Sequence, residues 1–172
     1  KPTSGSVYVD AVDVSRLSSK KVIGLRRRIG TVFQDYKLLP SRTAYENIAF
    51  AMEAAGKTDE EIANDVPHVL DLVDLTDQMD HFPRQLSGGE KQRLAIARAI
   101  INQPDVIIAD EPTGNLDSVK SKEVMELLKS FNETQGITII MVTHEEDMAA
   151  YATRTIFFKD GLIIKDTSRG EL

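Results

Sequence analysis

A short apolar run, Val106-Ile107-Ile108-Ala109, delivers two adjacent carboxylates, Asp110-Glu111, at its carboxyl end, and nothing else in the chain narrows the fold as much. A run of that length, set between Asn102-Gln103-Pro104 and the loop Pro112-Thr113-Gly114-Asn115-Leu116-Asp117, reads as a buried strand of a parallel sheet. Buried strands seldom finish on paired acids, because a carboxylate is poorly suited to an apolar interior. In open α/β sheets the ligand crevice lies outside the strands' carboxyl ends. There one carboxylate can hold Mg²⁺ beside phosphate oxygens while the next orients or deprotonates a water.

The residues just before this strand sharpen the reading. Ser87 with Glu90 three residues on is a Ser-x-x-Glu capping box, so a helix is expected to start there. Gly88 and Gly89 let the backbone approach a ligand closely, and a helix N-terminus suits a phosphate. Leu94, Ala97, Arg98 and Ile101 follow at helical spacing, and the helix should stop at Asn102-Gln103-Pro104. Separately, these features fit an ordinary capped helix and a solvated acidic turn. Together, within Leu86 to Asp117, they point to nucleotide chemistry.

The remaining chain supplies more strands and helices. After a turn at Lys1-Pro2-Thr3-Ser4-Gly5, Val7 and Val9 alternate around Tyr8 as a short strand. Leu17 to Arg28 reads as a polar, basic connector, with Arg26-Arg27-Arg28 as a solvated face. Ile29-Gly30-Thr31-Val32-Phe33 is a buried strand ending at Gln34-Asp35. Thr43 to Val73 is helical, with capping boxes at Thr43/Glu46 and Thr58/Glu61, a stop at Gly56, and a kink or restart expected at Pro67. Val124, Leu127, Leu128 and Phe131 mark an amphipathic helix ended by Gly136. Ile137 to Val142 reads as a buried strand carrying Thr143-His144-Glu145 at its end, and helix-then-strand order sets His144 beside Asp110-Glu111. Asp160-Gly161 between Thr155-Ile156-Phe157-Phe158 and Leu162-Ile163-Ile164 signals a hairpin, and the tail from Thr167 to Leu172 is expected to be loose. His68 and His81 have no ligand partner at metal spacing and receive no role.

Composition sets outer bounds. At 172 residues the chain is one domain by length, and its formal net charge of -6 argues against a nucleic-acid binder. No run of apolar residues is long enough to span a membrane, and the start carries no signal-peptide pattern. The lack of cysteine fits a cytosolic protein. The first residue is Lys1 rather than Met, and the sequence begins mid-theme, as a piece of something longer would.

These motifs resemble one family. Leu86-Ser87-Gly88-Gly89-Glu90 resembles the signature motif of ABC ATPases, Val106 to Glu111 their Walker B strand, and Asn115-Leu116-Asp117 their D-loop. In the same frame Gln34 is similar to the Q-loop glutamine and His144 to the H-switch histidine, and the resemblance covers essentially the whole chain. It implies an α/β P-loop NTPase core sheet with an α-helical subdomain, truncated at the N-terminus. Residues 1–172 would form a partial nucleotide-binding domain, with the Q-loop, helical subdomain and signature over about 36–90 and the remaining core over 91–172.

By the same resemblance, the cofactors are ATP and Mg²⁺. Glu111 and His144 would be catalytic, and Asp110 and Gln34 would face the metal. Gln34, Ser87, Gly88, Gly89, Glu90 and Asp117 would meet nucleotide, the last five across a head-to-tail homodimer. The partner would be an integral membrane permease-like subunit, and this chain would lie peripherally at the cytoplasmic face of a bacterial inner membrane. Tyr36, Leu38 and Leu39 would either touch that subunit or simply pack their loop. Ala11 stands where the family has a hairpin glycine.

The stretches Val32 to Pro40, Tyr45 to Ala49 and Asp110 to Asp117 are most similar to the cell-division branch, whose relatives serve lipoprotein release and macrolide export. His144 to Ala152 reads closer to the exporters. A soluble ABC clamp of DNA repair or translation, and an inactive interaction fragment, stay open as readings of another class. No G-x-x-x-x-G-K-[ST] phosphate loop occurs, and the adenine-stacking aromatic of the family is absent too. Both are expected upstream of Lys1. The chain alone is therefore expected neither to bind Mg-ATP tightly nor to hydrolyse it, and to leave apolar surface uncovered.

Overall fold

The computed structural model describes residues 3–9 and 12–168. A two-stranded antiparallel ribbon, β1 (Tyr8–Val9) and β2 (Val12–Asp13), comes first. Ala11 lies outside the described residues. A helix α1 (Ser19–Arg27) leads into β3 (Ile29–Phe33), and α2 (Ala44–Ala55), α3 (Asp59–Leu72) and α4 (Gly88–Ile100) follow. Then come β4 (Val106–Asp110), α5 (Ser118–Gln135), β5 (Thr138–Val142) and a short α6 (Glu146–Ala149). A second hairpin, β6 (Arg154–Lys159) and β7 (Leu162–Ser168), completes the described chain.

The fold is α/β, as the motif order implied. β3, β4 and β5 form a parallel sheet in sequence order, and Phe33, Asp110 and Val142 stand side by side at its carboxyl edge. Each crossover is helical, as parallel neighbours require. One face of the sheet is covered: Val32, Ile107 and Ala109 are buried in one core with Leu94, Ile96, Ala97, Val124 and Leu128. Gly30 lies so close to α4 that a Cβ there would sit 2.7 Å from the Ala99 carbonyl oxygen. The other face is bare, with Phe33, Ile108, Ile140 and Val142 all exposed, and the expected uncovered apolar surface is therefore present.

Three helices begin where the sequence placed them. Thr43/Glu46, Thr58/Glu61 and Ser87/Glu90 each close a complete capping box, with side chain and backbone bonded reciprocally. Gly56 and Gly136 end α2 and α5 in the left-handed conformation, at φ 81° and 68°.

Four expectations are corrected. The connector from Leu17 to Arg28 is mostly helix: α1 has no buried residue, and only Val22 and Leu25 turn partly inward. Pro67 does not restart α3, which is continuous through it. The carbonyl that loses its amide there belongs to exposed Ala63, where water can take it. β5 is not a buried strand: only Ile139 and Met141 are half-covered, because among the described residues β5 pairs with β4 alone and sits at the sheet edge. Thr167 and Ser168 are not loose but pair with Thr155 and Arg154 in β7, while the residues after Ser168 lie outside the description. The hairpin turn itself is as read, with Asp160 and Gly161 both left-handed at φ 51° and 78°.

Candidate functional site

Parallel strands in sequence order put three loops at one edge of the sheet. Gln34 follows β3, Glu111 follows β4, and His144 stands two residues beyond β5. Asp110 is the last residue of β4, exposed, on the bare face with Phe33 and Val142.

Glu111 and His144 meet directly. The His144 Nδ1 lies 2.9 Å from the Glu111 Oε1, an approach that suits a shared proton. The histidine side chain is 72% exposed and the glutamate 31%, so the pair opens to solvent on the imidazole side. Glu111 leaves the strand abruptly: its φ is 45°, left-handed and unusual for a residue with a long side chain. Its own N–H still donates to the Val142 carbonyl at 2.9 Å, extending the β4–β5 pairing by one residue. Its carbonyl accepts from the Gly114 N–H at 3.1 Å. The backbone is thus held on both sides at the point where it turns, and the carboxylate is aimed at the neighbouring strand.

The loop after Glu111 ties this edge to Gln34. The Asn115 side-chain amide donates to the Gln34 carbonyl at 2.7 Å. A Cβ on Gly114 would fall 2.6 Å from the Gln34 Nε2, so a larger residue at 114 would force the glutamine to move. Thr113, buried, donates to the Glu145 carboxylate at 3.3 Å and joins the loop to the segment after His144.

Ser87, Gly88, Gly89 and Glu90 form the amino end of α4. The Ser87 N–H donates to Glu90 at 2.7 Å. Hydrogen bonds with Ser87, first from the side chain and then from the backbone, hold the Glu90 carboxyl below its ordinary range. This turn makes no hydrogen bond or ion pair with Asp110, Glu111 or His144 among the described residues. It packs instead on the loop that follows them: a Cβ at Gly88 would lie 3.3 Å from Leu116, and one at Gly89 3.1 Å from Lys120. Asp117 has a local occupation, since its carboxylate caps α5 by accepting from Val119 and Lys120 at 3.0 and 2.9 Å.

The structure therefore gathers Gln34, Asp110, Glu111 and His144 at one sheet edge, with the Ser87-Gly88-Gly89-Glu90 turn adjoining through Leu116 and Lys120. Sequence reasoning treated Asn115 only as part of a loop, and Arg98 only as a helical position. Arg98 donates to the Tyr36 and Lys37 carbonyls at 2.9 and 2.6 Å, just beyond Gln34. The capping use of Asp117 could have been found, because an Asp directly before an amphipathic helix is a start signal.

Among the described residues no helix is long and apolar enough to cross a membrane. A cleft of about 590 Å³ opens between α1, α2 and α4, with Ile23, Leu39 and Phe50 on its wall and Arg26, Arg27 and Lys37 around it.

Known proteins are similar to this chain in sequence and in fold. The family described as "ABC transporter" matches residues 1–114. The chain is 48% identical to the cell division ATP-binding protein FtsE of Bacillus subtilis, over 99% of this chain and 75% of that protein. It is also 48% identical to the methionine import ATP-binding protein MetN of Carboxydothermus hydrogenoformans, over 84% of this chain and 43% of that one. Among solved structures, the dimeric ATP-binding cassette MJ0796 in a post-hydrolysis state bound to ADP and Pi superposes with a TM-score of 0.86. That pair is 38% identical over 98% of this chain and 75% of the other. A sheet with two carboxylates and a histidine at its edge, together with these likenesses, settles the family: the chain has the P-loop NTPase fold and belongs to the ABC transporter ATPases.

Proposed function

We propose that this chain is the ATP-binding and ATP-hydrolysing part of an ABC-type membrane complex, one that powers conformational signalling to a membrane partner of the FtsE–FtsX kind in bacterial cell division. The observation that carries the enzymatic part is the Glu111–His144 pair, 2.9 Å apart on two adjacent strand ends. Glu111 acts on the attacking water, and His144 steadies the Glu111 carboxylate and senses the γ-phosphate. The Asp110 carboxylate and the Gln34 amide oxygen are hard oxygen donors, a set that suits Mg²⁺, which supplies charge neutralisation on the phosphates. Ser87, Gly88, Gly89 and Glu90 present a capped helix N-terminus, free to meet the nucleotide of a second, head-to-tail copy. Asp117 lies near that boundary. Residues 36–90 serve as the Q-loop, helical and signature part, and 91–172 as the remaining core. The phosphate cradle and its lysine are not assigned to these residues, because no G-x-x-x-x-G-K-[ST] occurs among the 172.

For the partner, likeness to FtsE over nearly the whole chain supports an FtsX-like integral membrane subunit, with this chain held peripherally at the cytoplasmic face of the inner membrane. The MetN likeness supports a second reading, an import ATPase. LolD- and MacB-like release or efflux systems share the loop from Asp110 to Asp117. The cleft beside Leu39, apolar and ringed by cations, suits an acidic amphipathic segment of the membrane subunit.

The test joins the chain to the phosphate-loop segment of B. subtilis FtsE and measures Mg²⁺-dependent ATP hydrolysis. Glu111→Gln should cut turnover by about a hundredfold or more while ATP binding persists. A Glu111→Gln chimera that hydrolyses at the unsubstituted rate refutes the assignment. Capture from bacterial membranes then separates the partners: an FtsX-like protein supports cell division, an importer permease supports the second reading, and no membrane protein revives a soluble clamp.

A further inference from the structure

The backbone after Gln34 is held by side chains from three separate elements. The Gln34 carbonyl accepts from Asn115 at 2.7 Å, the Tyr36 carbonyl from Arg98 at 2.9 Å, and the Lys37 carbonyl from Arg98 at 2.6 Å. The Asp35 carbonyl accepts from the Lys37 N–H at 2.6 Å. Leu39 is fastened at both ends of its peptide by Asn47, through a 2.8 Å bond to its N–H and a 3.2 Å bond to its carbonyl.

This fastening restrains a strained conformation. Tyr36 and Lys37 are consecutive left-handed residues, at φ 61° and 47°, and neither is Gly, Asn or Asp. Side-chain-bearing residues enter that region singly as a rule, and persist there only where the surroundings over-determine them.

Arg98 supplies the restraint at an unusual position. It lies on α4, is partly buried, and pairs with no carboxylate among the described residues. Burial pulls its guanidinium below the ordinary range. A charge withdrawn from water without a counter-ion is unfavourable unless its donors are well used. Here the planar fork reaches two successive carbonyls, which a lysine ammonium cannot match in geometry.

We propose that Arg98 is the positioning residue of the Gln34 loop: its fork on the Tyr36 and Lys37 carbonyls holds two left-handed residues in place and fixes where Gln34 stands relative to α4. The same helix begins at the Gly88 turn, where a Cβ would lie 3.4 Å from the Tyr36 hydroxyl, so the loop is registered against both ends of α4. Any displacement of α4 against β3 either carries residues 36 and 37 with it or breaks the fork. The importance of this for turnover rests on the reading of Gln34 given above. The geometry can be tested without it.

The test is amide hydrogen exchange by NMR on the 172-residue chain, with Ile96 in α4 and Val124 in α5 as references. Arg98→Lys should raise exchange at Tyr36, Lys37 and Leu39 about tenfold, the equivalent of roughly one hydrogen bond, with the references unchanged. Adding Lys37→Gly, which removes the conformational penalty at that residue, should return the three rates to within about threefold of the original. Loop rates unaltered by Arg98→Lys, loop and reference rates rising together, or rates left high after Lys37→Gly would each overturn the proposal. If Arg98→Lys does not fold, Lys37→Gly alone decides. With Arg98 present it should leave Leu39 protection intact, whereas faster exchange would show that residue 37 carries no strain. Exchange is read without nucleotide, so failure of the ATPase reading would not be mistaken for failure of this one.

Discussion

Replacing Asn47 by Leu should destabilise the chain far more than its single side chain suggests. Asn47 is fully buried near the start of α2, and its amide donates to the carbonyls of Leu39, Arg42 and Thr43 at 3.2, 3.1 and 2.9 Å. Its oxygen accepts from the Leu39 N–H at 2.8 Å. Thr43 would keep a partner after the change, because its carbonyl also accepts from the Asn47 N–H at 2.9 Å. The Leu39 carbonyl likewise keeps the Arg42 N–H at 3.2 Å, so the Leu39 N–H and the Arg42 carbonyl are the groups that would lose theirs. At about 1 kcal/mol for each of the two groups left unpaired, which are only partly buried, the loss comes to about 1–2 kcal/mol. For a domain with about 5–15 kcal/mol in hand, that is a large share. Asn47→Asp should cost more, since it keeps the acceptor but sets a carboxylate against three carbonyl oxygens. Urea unfolding with an unchanged slope should show the midpoint falling by about 0.5–1 M for the Leu variant and further for Asp. A Leu variant within about 0.5 kcal/mol of the parent would refute the reasoning, because that is the scatter of an ordinary surface change.

Gly30→Ala should lower the melting temperature, because the new methyl would meet the Ala99 carbonyl at 2.7 Å and backbone cannot rotate aside. A cost of about 1–3 kcal/mol is expected, and an unchanged melting temperature would argue against the strand–helix contact. Acid should weaken the start of α3 ahead of its interior. Hydrogen bonding to Lys57, then to the Thr58 backbone, lowers Glu61 from 4.5 to about 2, so its contribution is complete above about 4.5 and fades as pH falls toward about 2. Chemical-shift titration of Glu61 should show that low midpoint, and a midpoint at the ordinary value would contradict the closed box.

Local devices were legible in the sequence, and long-range ones were not. The three capping boxes and the Asp160-Gly161 turn are written within four residues, so their hydrogen bonds follow from the letters themselves. The neighbourhood of Glu111 and His144 could also be read, because a helix between two strands favours their lying side by side in parallel. By contrast, α1 carries no buried stripe, so there was no apolar face by which to recognise it as a helix. β5 has the composition of an interior strand, but burial is set by neighbours, and one side of β5 has none among the described residues. Arg98 and Asn115 reach partners far away in sequence, and no residue spacing encodes that.

The exposed side of β5 has a consequence for the molecule in company. Thr138-Ile139-Ile140-Met141-Val142 is uncharged and rich in β-branched residues, and among the described residues one side of it, beside exposed Ile140 and Val142, has no strand partner. Two such edges from different molecules can pair with one another. A single lysine on the outward face of this strand should therefore raise the concentration at which the chain stays monomeric, without touching the sheet edge where Glu111 and His144 meet.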